Sequence, residues 1–361
     1  MKAAVLTAIN QPLEILDLEL DPPKAGEARV KMKASGVCMS DWHMMNGDWP
    51  AKLPLVPGHE AAGVVTEVGP SPSHVSVGDH VIFSFSSHCG HCRYCNSGKS
   101  VLCNGHSAPG FLMPDGTTRM KFKAEPVYQM ARIGTFREEV VCSTENLVPI
   151  RKDLPWTIAA IIGCSVATGV GAVYRAAKVE AGSSVVVVGC GGVGLNIVQG
   201  AKLVGAGKII AVDLLDNKLD YAKQFGATHD QRQDGNVEAR ARDHRWRRGL
   251  RLRRHRLGSD RAADRRLPLR RRPRHHGRHS LGAGEGGHLA GLHGLPGEDA
   301  GVLLLWLDPA RHRLPDPCRP LHGREARPRL LISRTYTLDQ INEGFDQLRK
   351  GGVARGVVVF D

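Results

Sequence analysis

The chain has 361 residues and 42% apolar content, a length that suggests two domains with enough apolar side chain to bury real cores. Its formal charge of +13 invites a nucleic-acid or membrane-surface reading, but residues 231–330 alone hold 24 Arg, no Lys and 11 acidic groups, while the other 261 residues carry 25 groups of each sign. The excess sits in one window, which argues against a nucleic-acid partner. The apolar runs at 158–164 and 301–307 fall far short of the roughly 20 residues that cross a bilayer, so no membrane partner is expected either. Met1-Lys2-Ala3-Ala4-Val5-Leu6 leads into strand-like alternation without a secretory leader, which points to a cytoplasmic protein. Nine cysteines in that compartment are metal ligands or buried thiols rather than disulfides.

Residues 27–33, 62–68 and 80–85 are period-2 or apolar runs separated by Gly, Pro and Asp, so the first 155 residues are expected to form a mostly β domain. From Trp156 the pattern becomes α/β: a helical stretch to Val179, a continuous apolar run at 183–189, a glycine-rich turn, a helix, and a strand at 208–213. Strands apolar on both faces belong in a parallel sheet. After Asp230 the signal stops. Residues 231–330 contain no Ile, Thr, Phe or Tyr and only two valines, Val237 and Val302, so no strand is expected there. At Ile332 the ordinary texture returns, with an amphipathic helix starting over 336–343 and a closing strand at 356–360.

Cys89, Cys92, Cys95 and Cys103 form C-x2-C-x2-C-x7-C, four thiolates compact enough to close a tetrahedral shell on one loop. A closed shell points to structural zinc; an iron–sulfur cluster is the rival, and chance clustering of buried thiols the bland alternative. A second group is dispersed: Cys38, followed by Ser40, Asp41 and His43; the Gly58-His59-Glu60 triplet; and Cys164 within Gly163-Cys164-Ser165. Each is weak alone, because a lone Cys is usually packing and a lone His a core or surface residue.

Gly189-Cys190-Gly191-Gly192-Val193-Gly194 is G-x-G-x-x-G, placed after an apolar strand and before a helix, where backbone N–H groups and a helix N-terminus meet a pyrophosphate. Gly189 makes the turn, Gly191 admits the phosphate and Gly194 lets helix and strand approach. Asp213 follows Gly194 by 19 residues, where a carboxylate accepts from both ribose hydroxyls and repels a 2′-phosphate, favouring NAD over NADP.

In order and spacing these motifs resemble the zinc-dependent alcohol dehydrogenases of the medium-chain dehydrogenase/reductase superfamily, over residues 1–230 and 332–361. The resemblance implies an α/β fold with a GroES-like β-rich catalytic domain at 1–155 that carries both zinc sites. A Rossmann doubly wound parallel-sheet domain would occupy 156–330, and residues 331–361 would return to the catalytic domain. It implies that Cys38, His59 and Cys164 bind a catalytic zinc, with water or substrate as the fourth ligand. Glu60 matches a carboxylate that approaches the metal. Asp41 either holds the imidazole of His59 or caps the following helix. Ser40 and His43 match the hydroxyl and imidazole of the proton path, and Trp49 and Phe85 line the substrate pocket. Lys218 matches a basic residue beside the ribose, Thr168 and Val193 back the nicotinamide, and Arg355 resembles the pyrophosphate-binding Arg. Two zinc ions per subunit and NAD are the implied cofactors, with a small alcohol or aldehyde as substrate and a homo-oligomer where the Rossmann domain is intact. Hydride would pass from a primary or aromatic alcohol to NAD; a formaldehyde–thiol adduct is the alternative substrate.

The Arg-rich window at about 235–330 falls where that family has its fourth to sixth parallel strands. A displaced reading frame in a GC-rich gene, entered near codons 234–238 and left near codon 330, accounts for the surplus of Arg, Gly, Pro and His and the loss of Lys, Ile, Phe and Tyr. Two other readings are an Arg-rich nucleic-acid-binding insertion, against which the aromatics of the window number only Trp246 and Trp306, and a folded zinc protein without activity. Sequencing the gene is expected to show that a one-nucleotide shift over these codons restores β-branched and aromatic residues; an uninterrupted frame with unchanged codons would overturn this.

Overall fold

Small and β-branched side chains along Glu27–Val37 leave most of this strand buried, and the rest of the first sheet assembles on it. In this computed structural model, which describes residues 1–106, 110–232, 250–252 and 331–361, a seven-stranded sheet runs in the order Leu147–Pro149, His80–Phe83, Ala61–Val68, Glu27–Val37, Arg355–Val359 and Ile332–Tyr336. Glu139–Ser143 pairs with the same central strand. All neighbours are antiparallel except the last pair, so the C-terminal segment returns to the β-rich part as expected. Its register, Gly356 opposite Val37, brings Arg355 to the level of Cys38.

The segment Trp156–Ala176 is one helical stretch of 21 residues with mean hydropathy 1.8, which corrects the expectation that no apolar run is long enough for a bilayer. By length and composition it passes that test, but 67% of it is buried inside the fold, the setting of a core helix. Two of its turns are π-helical, and the first, Ile162–Val166, carries Cys164. Single π turns inside α-helices recur where a side chain must be aimed at a site.

The second sheet is parallel, ordered His229–Arg232, Lys208–Asp213, Ser184–Val188 and Leu250–Leu252. Helix Gly192–Leu203 follows the first of these strands in sequence and Asp216–Phe225 the second, which is the Rossmann arrangement. The strand Leu250–Leu252 corrects the expectation that the Arg-rich window holds none: three residues pair with Val185–Val187 there. Apart from Gln231 and Arg232, which end the edge strand, the remainder of that window lies outside the described residues.

At the start of the central strand, Glu27 meets Arg119, whose Nε donates to Oε2 at 2.9 Å and whose Nη2 pairs with Oε1. Arg119 is 1% exposed and Glu27 6%, so neither charge has water to fall back on. Arg119→Ala leaves the carboxylate buried without this guanidinium and is expected to cost about 3–5 kcal/mol. Urea denaturation measures this, and Glu27→Leu/Arg119→Met together are expected to recover most of it.

Candidate active site

Cys38 caps helix Met39–Met45, so the first ligand sits at the end of the central strand, and Asp41 three residues on turns back towards it. Asp41 is fully buried. Its Oδ2 accepts from the Cys38 N–H at 3.2 Å, and its Oδ1 accepts from the Gly58 N–H at 3.0 Å and lies 2.9 Å from His59 Nδ1. The two readings of Asp41 are therefore both correct, since one carboxylate caps the helix and holds the imidazole. That leaves His59 Nε2 pointing inward, 3.3 Å from Cys164 Sγ.

The ligand atoms of Cys38, His59 and Cys164 lie within 4.8 Å of one another and all three residues are buried. A tetrahedral zinc ion, bound by sulfur at about 2.3 Å and nitrogen at about 2.0 Å, needs donors roughly 3.5–3.8 Å apart, so the trio fits the ion. The metal-free electrostatics agree. The hydrogen bond with Cys164 holds the Cys38 thiol well below its ordinary range, and that same bond, together with burial, keeps the proton on Cys164. Burial works against a charged imidazole at His59, but Asp41 and the Cys38 thiolate overcome it and raise its proton affinity.

Glu60 is fully buried, and burial pushes its carboxyl up to about 7 although Arg355 opposes the shift. Ser165 N–H donates to Glu60 Oε2 at 3.3 Å, and Arg355 Nη2 lies 2.5 Å from Oε1. That ion pair is close but off-axis: neither Oε1 nor Nη2 has an aligned hydrogen-bond partner, and Arg355 Nε also lacks one. The Arg355 side chain also lies against Gly192, the first residue of the glycine-turn helix, where a Cβ would stand 3.2 Å from Nη1. A buried guanidinium with unaligned donors beside a helix N-terminus fits an anionic group such as a pyrophosphate.

Gly189 takes φ +90°, and a Cβ at Gly194 would stand 1.8 Å from the Gly189 oxygen, so the tight turn and the close packing both demand glycine. Gly191 is the N-cap of the helix. Asp213 ends its strand with Oδ2 accepting from the Cys190 N–H at 2.6 Å and Oδ1 from the Leu214 N–H at 2.8 Å, which aims the carboxylate beside the turn. Val193 is 36% exposed, and half-buried Thr168 is followed by Gly169, which packs on the Val193 carbonyl. Lys218 is buried within reach of the Asp213 charge, and its Nζ donates to the Val353 carbonyl at 2.5 Å, which fastens the C-terminal return.

Ser40 is half-buried on the first turn of the Cys38 helix, and His43 is in the last. Phe85 meets His59 edge-on at 5.7 Å, and Trp49 lies 5.4 Å from the His43 ring, so both expected pocket residues stand beside the site. Sequence reasoning missed Asp48, whose Oδ2 is 2.8 Å from His43 Nδ1. Asn46-Gly47 directly after the helix is the turn signal that would have found it.

In the other group, Cys92 Sγ lies 3.5 Å from Cys95 Sγ and 3.9 Å from Cys103 Sγ, and Cys89 is 4.0 Å from Cys95. These are the edges of a tetrahedron around one ion, too short for thiolates that ligate separate irons of a cluster. Backbone N–H groups of Cys89, Cys92 and Gly105 point at its sulfurs. The N–H of Cys95, above all, brings the Cys92 thiol down to about 6. The loop that carries these cysteines holds a short helix, Arg93–Asn96, and a 3-10 turn, Ser100–Leu102.

Residues 24–152 match the family model for the alcohol dehydrogenase GroES-like domain, and 192–252 that for zinc-binding dehydrogenases, together more than half of the chain. The S-(hydroxymethyl)glutathione dehydrogenase of Escherichia coli O139:H28 (strain E24377A / ETEC) is 44% identical over 230 residues, covering 63% of this chain and 62% of that protein. The chain thus spans less than two thirds of that relative's length. Benzyl alcohol dehydrogenase from Acinetobacter calcoaceticus shares the fold with a TM-score of 0.76 at 24% identity, covering 100% of this chain and 99% of that one. Acetophenone reductase from Geotrichum candidum NBRC 4597, solved in complex with NAD, gives a TM-score of 0.53 at 30% identity over 64% of this chain and 62% of that one.

Asp41→Asn removes the carboxylate charge that orients and polarises His59, and is expected to weaken metal binding at the trio about 10–100-fold. After mild chelation, metal analysis should find one zinc per chain in the variant, held by the four cysteines, against two in the parent.

Proposed function

The chain belongs to the zinc-dependent alcohol dehydrogenase family of medium-chain dehydrogenases, whose cofactors are zinc and NAD, and on that premise we propose that it oxidises a primary or aromatic alcohol to the aldehyde with NAD as acceptor. The observation that carries this reading is the buried Cys38–His59–Cys164 trio, joined through Glu60 and Arg355 to the glycine turn. Zinc held by the trio supplies a Lewis acid that polarises a hydroxyl and lowers its pKa, and NAD supplies a hydride acceptor.

The protein's own groups do the rest. Asp41 fixes the tautomer of His59 so that Nε2 is a metal donor. Ser40 takes the hydroxyl proton and His43 carries it outward. Phe85 and Trp49 wall the pocket and exclude water from an apolar substrate. Asp213 recognises an unphosphorylated ribose, while Arg355 and the N–H groups of Gly191 to Val193 meet the diphosphate. Residues 1–155 form the catalytic domain with the four-cysteine site and Cys38 and His59 of the trio, 156–330 the cofactor domain, whose first helical stretch supplies Cys164, and 331–361 the return. We assign a cytoplasmic homo-oligomer acting on neutral small molecules, with no nucleic-acid or membrane partner.

One observation favours a second substrate: the E. coli relative is named for S-(hydroxymethyl)glutathione. The zinc-loaded chain with NAD and benzyl alcohol or a primary alkanol is expected to produce NADH, seen by its absorbance. NADH from formaldehyde only when glutathione is added would move the assignment to the thiol adduct. No NADH from any of these, with both metal sites filled, would make the chain a zinc-binding protein without activity.

A further inference from the structure

We propose that Asp48 is a positioning residue for His43, fixing the imidazole so that Nε2 is the nitrogen that receives the proton from the substrate side. This rests on the reading of His43 as the outer end of the proton path. The chain doubles back on His43 as soon as its helix ends: the His43 carbonyl accepts from the N–H of Asp48 at 2.9 Å and of Trp49 at 3.3 Å. This closure sets Asp48 Oδ2 2.8 Å from Nδ1, and lays the Trp49 ring over the imidazole with 31° between the planes. Asn46 Nδ2 donates to the other carboxylate oxygen at 3.2 Å, so Asp48 is held from both sides.

The protonation follows from the geometry. The hydrogen bond from His43, first of all, holds Asp48 below the usual carboxylate range, so at neutral pH it is ionised and can only accept. Nδ1 therefore carries the hydrogen, and the neutral ring presents its lone pair on Nε2. Among the described residues Nε2 has no protein partner, and no second carboxylate pairs with His43. When the hydroxyl proton is passed on, an O–H bond breaks and an Nε2–H bond forms. The resulting imidazolium sits against the Asp48 carboxylate until the new proton leaves to solvent. His43 is 16% exposed and Asp48 44%, which gives that proton an exit.

The test is nitrogen NMR on the full-length chain labelled at histidine, with the His43 signals assigned by their loss in His43→Gln. In the parent, His43 should be the Nδ1–H tautomer. In Asp48→Asn, whose amide oxygen still accepts from Nδ1, that tautomer should persist, whereas in Asp48→Leu the preference should disappear. With substrate, kcat for alcohol oxidation should fall about tenfold in Asp48→Leu with KM little changed, and Asp48→Asn should keep most of it. A parent His43 found as the Nε2–H tautomer, or an Asp48→Leu chain that keeps the Nδ1–H form, would overturn the proposal, and the parent measurement stands should Asp48→Leu fail to fold. The NMR result needs no turnover, so an inactive chain with the expected tautomers refutes the proposed reaction and leaves the Asp48 assignment standing.

Discussion

The site depends on one buried carboxylate. Asp41 binds the backbone of Cys38, the backbone of Gly58 and the ring of His59, so two metal donors from separate stretches of chain are tied to the same two oxygens. An ionised carboxylate removed from water is costly unless its acceptor sites are filled. Here three donors fill them, and the positive charge favoured on His59 answers the negative one. The same surroundings favour the thiolate at Cys38 and the proton on Cys164, so a divalent cation held by the trio would displace protons and its affinity would depend on pH.

Arg355 extends this balance to the cofactor side. Strand pairing delivers it: the register of Arg355–Val359 against Glu27–Val37 sets it level with Cys38, and its side chain then reaches both Glu60 and Gly192. A cation at the N-terminus of a helix faces the positive end of the helix dipole, an unfavourable arrangement that an anion bound there reverses. Glu60 offsets it in the meantime. Lys218 also bears on this segment, because its Nζ holds the Val353 carbonyl two residues upstream of Arg355.

What was legible in the sequence follows from what spacing encodes. Cys89, Cys92, Cys95 and Cys103 lie on one loop, and their shell closes locally, so the spacing already contained the geometry. Gly189 and Gly194 were readable because backbone angle and close approach exclude other residues. The catalytic trio was harder: Cys38, His59 and Cys164 converge only through sheet pairing and a π turn, and resemblance rather than periodicity joined them. Glu60–Arg355 spans almost the whole chain and depends on a strand register that no local pattern reveals. Asp48 was legible only through the Asn46-Gly47 turn that folds it back onto His43 five residues earlier.

The charge of +13 then separates into two physical problems. Every candidate donor of both metal groups precedes residue 165, outside the Arg-rich window, and so do Ser40 and His43, proposed for the proton path. The glycine turn and Asp213 also precede it, but the parallel sheet that holds them meets the window at Leu250–Leu252, whose ladder covers three residues. A parallel sheet is stable when both faces and its inner strands are covered, so weakness there bears on the cofactor half first. The two candidate sites are therefore structurally separable. The candidate metal groups rest on antiparallel pairing within residues 1–164 and on the C-terminal return, whereas the glycine turn rests on a sheet whose fourth described strand is drawn from a composition with almost no β-branched residues.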